Sequence, residues 1–383
     1  MSFSHKLFAK IFNFFQFFSF NKIFVTFIIS EISFNSSLEY LKRELDKNQL
    51  KYHYIYKDKY SFYYFDSPKE KLIKLFNLLE FFFIKTFILS RTKYVFLDDN
   101  FFPMAYMKFS DNSTVIQLWH ASGAFKKFGF DVVDDENIQK LIEFSSSRID
   151  YVVVSSNNVS KIYKEAFKVE NNKILPLGTP KTDYYFDKEN NNEKNIKEIR
   201  SKFEKKYPNI KGKKIVLYAP TFRENKKINN DILLNFDNKL FYSHLKDDFC
   251  LFFKSHPKFK ISESDNFINV SDYENSHELL LISDILITDY SSIMIEYAIL
   301  SKPIIFYPFD FDYYINNERG FYFDYNMVPG PIARNTRDII NLIEKNYFNI
   351  EKIKDFVSKN FDYLDSKSSK RIVDYIVKEE KLE

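Results

Sequence analysis

Short runs of β-branched and aromatic residues recur along this chain, and most are continuously apolar rather than alternating. Residues 215–219 read IVLYA and 284–288 read DILIT. A strand with one wet face alternates polar and apolar side chains, whereas a strand buried on both faces does not. Continuous runs therefore predict parallel sheets covered by helices on both sides. Such runs fall at residues 23–29, 52–56, 94–97, 114–118, 151–154 and 173–176, and again at 215–219, 250–254, 285–288 and 303–306. Helical patterns at 37–47, 67–90 and 157–167 separate the first set. Strand and helix in alternation imply right-handed βαβ units and doubly wound α/β sheets.

A chain of 383 residues exceeds one hydrophobic core, so two domains are expected. The segment of lowest apolar content, DKENNNEKNIKEIRSKFEKKYPNIKGKK at 187–214, is the natural boundary, part linker and part solvated helix. The expected organisation is an amphipathic segment over 1–30, an N-terminal Rossmann-like domain over 23–188, a linker over 189–211 and a C-terminal domain over 212–383. The last stretch, 336–383, reads as two polar helices. Ligands of such sheets bind beyond the carboxyl ends of the strands, and two such domains place the default site in the cleft between them.

Composition narrows the function. The 56 basic and 52 acidic side chains leave a net charge of only +4, which excludes a dedicated nucleic-acid binder with its concentrated basic excess. The single cysteine, Cys250, permits neither a disulfide framework nor a cysteine metal cage, and fits a reducing compartment.

The N-terminus, MSFSHKLFAKIFNFFQFFSFNKIFVTFIIS, is too interrupted by Asn13, Gln16, Asn21 and Lys22 for a signal peptide or a bilayer span. At helical spacing Phe3, Leu7, Ile11, Phe14, Phe15 and Phe18 share a face, as in helices that lie in a membrane interface. The same stripe can instead pack on the protein's own core. A second aromatic segment, 72–89, opens with Ser67-Pro68-Lys69-Glu70, which has the N-cap, first-turn proline and capping-box glutamate of a helix start.

Five segments carry candidate chemistry, each at the end of an apolar run. In Gln117–Gly129 (QLWHASGAFKKFG), His120 ends a strand, where a near-neutral imidazole suits proton abstraction from a hydroxyl; Lys126 follows six residues later. In Leu177–Asp183 (LGTPKTD), Thr179, Lys181 and Asp183 sit on a turn, where they can fix a ligand or merely pair with each other. In Leu217–Glu224 (LYAPTFRE), Pro220 stops the strand and delivers Thr221 and Arg223, a residue type suited to bidentate phosphate recognition. In Phe252–Pro257 (FFKSHP), Lys254 and His256 end a strand, with His256 held extended by the proline that follows. The other four histidines, His5, His53, His244 and His277, have no such setting.

The fifth segment is the most informative: SDILITDYSSIMIEY at 283–297. A buried run meets Thr288, Asp289, Ser291 and Ser292 and then a helix. The free N–H groups of a helix start and adjacent hydroxyls suit a diphosphate without any Gly-rich loop; serine N-capping alone is the plainer reading. Glu296 lies one turn further, within reach of a ribose hydroxyl, and Arg319 with the turn at 328–331 completes the rim. No DxD-type motif calls for a metal, and no cofactor is expected.

WHASGAFKKFG, LGTPKTD, LYAPTFR, KSHP, SDILITDYSSIMIEYA, KPIIFYPFD and VPGPI occur here in the order found in the CDP-glycerol glycerophosphotransferase family, which this chain resembles over roughly residues 90–335. The resemblance implies a GT-B-like fold, with two Rossmann-like domains facing a cleft, and a peripheral enzyme at the cytoplasmic face of the membrane. It implies transfer of glycerol phosphate or ribitol phosphate from CDP-glycerol or CDP-ribitol to a lipid-linked teichoic-acid or capsular polymer, with release of CMP. It also implies that His120 activates the acceptor and that His256 contacts the donor phosphates. Arg223, Ser291, Ser292 and Glu296 match donor-binding positions. Ala121-Ser122-Gly123 departs from the Gly-Thr-Pro that many members carry after the first histidine, so the resemblance does not choose between the two polyols. A GT-B glycosyltransferase using a nucleotide sugar is the alternative.

Overall fold

A computed structural model describes residues 3–18, 23–29, 37–57, 68–132, 135–223, 225–255 and 264–380. The chain divides into two compact units. One contains Met1–Ala121, Phe128–Asp183 and Lys367–Glu383; the other contains Ser122–Lys127 and Tyr184–Ser366.

The first unit is built on six parallel strands: β1 (Ile23–Ile29), β2 (Tyr52–Tyr56), β3 (Thr92–Leu97), β4 (Thr114–Gln117), β5 (Tyr151–Val153) and β6 (Ile174–Leu175). Their order is β2-β1-β3-β4-β5-β6, so the winding reverses between β1 and β3. Its central strands are buried on both faces, as the continuous apolar runs require: Val25, Phe27 and Ile28 of β1 and Val95 and Phe96 of β3 are enclosed. The second unit has β7 (Lys214–Tyr218), β8 (Phe249–Phe253), β9 (Ile268–Asn269), β10 (Ile285–Thr288) and β11 (Ile304–Phe306), in the order β11-β10-β7-β8-β9. This is a Rossmann order with its switch between β7 and β10. Ten of these strands coincide with apolar runs to within about two residues, the usual uncertainty of element ends. The two-residue β9 has no run long enough to be seen.

The boundaries differ from those expected, for reasons of packing. The helical part of the boundary segment is Glu193–Lys206, which Asn192 caps by accepting from the Asn195 amide, and it is docked rather than solvated on all sides. Ile199 and Phe203 are buried, and the Phe203 ring lies 4.8 Å from Tyr273 and 5.8 Å from Phe252. Two apolar residues at i and i+4 suffice to dock a helix that is otherwise charged. The C-terminal stretch forms three helices rather than two: Thr336–Glu344, Ile350–Asn360 and Ser368–Glu380. The last belongs to the first unit, because Ile372, Val373 and Ile376 enter the core of the first sheet beside Val25 and Phe27. Tyr94 adds a buried hydroxyl donated to the Ile376 carbonyl at 3.0 Å.

The segment Ser122–Lys127 joins the second unit although its flanks lie in the first. The amide of Lys127 donates to the Gly320 carbonyl at 2.9 Å and that of Tyr322 to the Phe125 carbonyl at 3.0 Å. Phe125 then stacks on Phe321 and Phe323 with ring centres 5.0 and 5.2 Å away.

The N-terminal helix, Phe3–Phe17, buries Phe8, Ala9 and Phe12, a stripe different from the face predicted. Asn13 donates to the Tyr106 carbonyl at 3.0 Å and accepts from the Lys108 amide at 2.8 Å, so a polar residue helps to dock the helix. Phe3 and Phe17 remain 80% and 84% exposed. Helical structure runs from Pro68 to Leu89 with a wider turn at Glu80–Lys85; Ser67, the expected cap, lies outside the described residues. The rings of Phe81 and Phe87 meet Phe8 and Phe15 of the N-terminal helix at 4.5 and 5.4 Å, while Phe76, Phe83 and Ile84 stay exposed. The two aromatic segments thus pack against each other, and both keep exposed phenylalanines. No helix among the described residues is long and apolar enough to cross a membrane.

Candidate functional site

In the first unit the chemistry gathers where β2, β3 and β4 end. Trp119 has φ 57°, a left-handed conformation that costs a bulky residue energy and persists only when its surroundings hold it. Here the Trp119 amide donates to the Gln117 side-chain oxygen at 2.9 Å, and its ring packs against Phe128 and Phe167 at 5.1 and 5.2 Å. The kink ends β4 and turns His120 outward, stacked on the indole with ring centres 4.3 Å apart. His120 Nδ1 lies 3.3 Å from the Asp98 carbonyl.

The imidazole keeps solvent access yet lies in a recess. Desolvation holds its pKa below the ordinary value, against the pull of Asp99 and the Asp98 carbonyl and with help from Lys181 and Lys57. It is therefore neutral at pH 7, as a general base must be. Lys57 and Asp99 were not singled out in the sequence. The signal was there: the run at 94–97 ends in Asp98-Asp99, ionisable side chains at a strand's end like His120 after the run at 114–118.

The LGTPKTD turn divides. Lys181 faces His120 electrostatically. Asp183 instead accepts from the backbone amides of Ser368 and Ser369, both at 2.8 Å, and caps the C-terminal helix. Gly178 has φ +91°, and any Cβ there would collide with the Ser368 hydroxyl. Arg371 donates to the Leu177 carbonyl at 2.8 Å, and Thr179 is buried. Most of this turn is a lock for the C-terminal helix rather than a ligand contact.

In the second unit the crevice at the β7/β10 switch is occupied by protein. Arg223 is 0% exposed. Its guanidinium donates to Asp289 at 2.7 Å, to both oxygens of Asp310 at 2.8 Å and to the Thr221 carbonyl. It also lies 4.9 and 5.1 Å from the ring centres of Tyr290 and Tyr314. Burial alone would lower its pKa, but the two carboxylates outweigh that and raise it. With two acids and two rings around it, Arg223 is held by the fold and exposes no surface in this arrangement. Asp289 is equally buried and also accepts from the Thr221 amide at 2.7 Å. The Thr221 hydroxyl is buried with no hydrogen-bond partner among the described residues. Thr288 donates inward to the Ala219 carbonyl at 2.7 Å.

Glu296 is likewise turned inward. It accepts from the Ser122 hydroxyl at 3.1 Å and from the Tyr185 hydroxyl at 3.4 Å, and the latter lies 2.6 Å from His277 Nδ1. Both of its oxygens are thus taken up by protein hydroxyls. His277, set aside in the sequence, is a buried member of this network, stacked on Tyr184 at 4.6 Å. Lys254 spends its ammonium on the Tyr273 carbonyl at 2.9 Å, and burial pushes its pKa down to about 8. His256 lies outside the described residues.

Three groups of this unit remain available. Lys126 is partly buried and makes no side-chain hydrogen bond or ion pair among the described residues. Burial first, then the positive charge of Arg319, pushes its pKa down to about 8. Arg319 itself is exposed. Asp289 and Glu318 pull the other way, but burial and the two cations Arg319 and Arg223 outweigh them, and cations held close in this way favour an anion. Ser291 and Ser292 precede the helix Ile293–Ile299, and the Ser292 hydroxyl makes no capping bond.

Two parallel, doubly wound sheets whose carboxyl ends carry ionisable side chains define the GT-B class of α/β folds. Similarity places the chain more narrowly. The model of the CDP-glycerol:poly(glycerophosphate) glycerophosphotransferase family matches residues 10–378, and the chain belongs to that family. It is 39% identical over 297 residues to the teichoic acid poly(ribitol-phosphate) polymerase of Bacillus spizizenii, covering 75% of this chain and 46% of that one. It is 35% identical over 306 residues to the teichoic acid ribitol-phosphate primase of the same organism, covering 77% of each. The chain thus spans about half the length of the polymerase. Among solved structures, the wall teichoic acid polymerase TagF superposes with a TM-score of 0.77 at 26% identity, over 100% of this chain and 95% of that one.

Proposed function

We propose that this chain transfers a polyol phosphate, glycerol phosphate or ribitol phosphate, from a CDP-linked donor to the terminal hydroxyl of a lipid-linked teichoic-acid or capsular polymer, releasing CMP. The observation that carries the reading is His120: a neutral imidazole at a strand's carboxyl end, held by Trp119 in a chain of this family. His120 removes the acceptor proton. The acceptor oxygen attacks the phosphorus bearing the polyol, in line, and the bond to the CMP oxygen breaks. Lys126, Arg319 and Ser292, with Ser291 whose hydroxyl also accepts from the Ile293 amide at 3.4 Å, hold the donor phosphates and offset charge as it builds on the phosphoryl oxygens. Lys181 adds positive charge near the base. His256 keeps its proposed role as a phosphate contact on the sequence resemblance alone.

The exposed rings of Phe3, Phe14, Phe17, Phe76 and Phe83 fit docking on the cytoplasmic face of a membrane, where a lipid-linked acceptor is found. Exposed phenylalanines gathered on two helices that pack against each other fit such a role better than scattered ones.

The direct test is incubation with labelled CDP-glycerol, or in parallel CDP-ribitol, and membranes carrying the acceptor. CMP release with label entering polymer is the expected result, and the donor that supports it identifies the polyol. Release of UDP from a UDP-sugar would instead mark the chain as a glycosyltransferase. His120→Ala is expected to lose roughly 10²–10⁴ in turnover while still binding the donor. Undiminished turnover in that variant removes the base assignment.

A further inference from the structure

The charges around His120 form an ordered set within the first unit. Lys57, one residue beyond β2, donates to an Asp99 carboxylate oxygen at 2.8 Å and to the Asn100 carbonyl at 3.0 Å. Asp99 lies two residues beyond β3. The side chain of Gln117 joins the same corner: its amide donates to the Asp99 carbonyl at 3.3 Å while its oxygen accepts from Trp119, whose ring carries His120. Asp99 therefore reaches the imidazole by two routes. One is its charge, which acts on the ring directly. The other is the Gln117–Trp119 link, which sets where the ring stands.

A purely structural ion pair explains this poorly. Lys57 and Asp99 keep 19% and 35% of their side-chain surface exposed, and pairs that wet add little to stability. They sit at the strand ends, where a sheet needs no such clamp. The groups facing His120 from the packed elements are Asp99 and the Asp98 carbonyl after β3, Lys57 after β2 and Lys181 after β6.

Resting on the reading of His120 as the base, we propose that Asp99, held in place by Lys57, is the positioning residue of that base, and that the Lys57–Asp99 pair sets the pH range in which His120 can accept a proton. Asp99 favours the imidazolium and Lys57 opposes it, so the two have opposite signs. Burial would raise the Asp99 carboxyl, but the charge and hydrogen bond of Lys57 outweigh it and keep that group ionised well below neutral pH. The negative charge is thus present wherever His120 titrates.

The test is kcat/KM against pH for the full chain, with CDP-glycerol and CDP-ribitol as donors and a lipid-linked acceptor. A general base gives an acid limb, with activity falling as pH drops through its pKa. In Asp99→Asn the limb is expected to move to lower pH by about half a unit to one unit, because a favourable charge is lost. In Lys57→Met it is expected to move to higher pH, because the carboxylate then acts unopposed. Lys57→Arg, which keeps the cation, is expected to return the limb to its wild-type position. Should Asp99→Asn fail to fold by circular dichroism, the two Lys57 variants carry the test, since Lys57 is partly exposed. An unmoved limb in the folded variants, or shifts of the same sign in Asp99→Asn and Lys57→Met, overturns the inference. His120→Ala separates this from the reading beneath it. Wild-type turnover there overturns the base itself, whereas lost turnover there with an unmoved limb in the other variants overturns only the role of the pair.

Discussion

The two units each collect charge where their parallel strands end, yet the two corners are built differently. In the first, His120 stands on a strained tryptophan with solvent at its edge, and its charged neighbours pull in opposite directions. In the second, Arg223 is sealed between Asp289 and Asp310 beneath three aromatic rings. Both positions follow apolar strands, and from sequence both offer a functional group to a ligand. The difference is in partners. A buried cation spends its charge on two carboxylates, whereas the imidazole, with Nδ1 at the Asp98 carbonyl, keeps its other nitrogen for chemistry. In doubly wound folds the switch point is the expected ligand crevice, and at β7/β10 the protein has filled it with its own ion pairs. The neighbouring Lys126 and Arg319 are left to meet an anion.

Substitutions can break this comparison. The largest effect is expected from Arg223→Met, which strands two buried carboxylates. It should cost about 3–5 kcal/mol of stability, seen as an earlier midpoint in urea unfolding, with no selective rise in donor KM in whatever fraction stays folded. A stable variant with a raised donor KM would return Arg223 to the binding site and erase the contrast. Lys126→Met should do the reverse, leaving the unfolding midpoint near wild type and raising donor KM by roughly tenfold or more, the worth of one charge-assisted bond. The pH dependence has a definite sign. A lysine near pKa 8 is charged below that pH and neutral above it, so donor KM should climb as pH passes about 8 and should lose that climb in the variant. The smallest effect concerns the turn at 177–183. Asp183→Asn, which puts an amide NH2 where one oxygen accepts a backbone N–H, should cost about 1–3 kcal/mol, measurable as a lower Tm, with kcat little changed.

The sheet architecture was legible because burial on both faces writes itself into sequence as unbroken apolar runs. The N-terminal helix shows where such reading weakens. Its phenylalanines nearly encircle it, so spacing could not decide which stripe packs inward; the stripe of Phe8 and Phe12 does, and Phe17 and Phe3 are left to solvent. In the segment at 189–211 the helix was legible but its docking was not, since two buried residues in a charged helix leave little trace in average hydropathy.

Local order along the chain determined the strands, the helices between them and the positions at which side chains emerge from strand ends, because those follow from period and polarity. Which of the emerging groups stays free was decided only in three dimensions. Asp310 lies 87 residues from the arginine it neutralises, and Ser368 lies 185 residues from the aspartate that caps it. Lys57 reaches Asp99 from 42 residues away. A side chain's capacity to bind or react depends on what already saturates it, and that partner can come from anywhere in the chain.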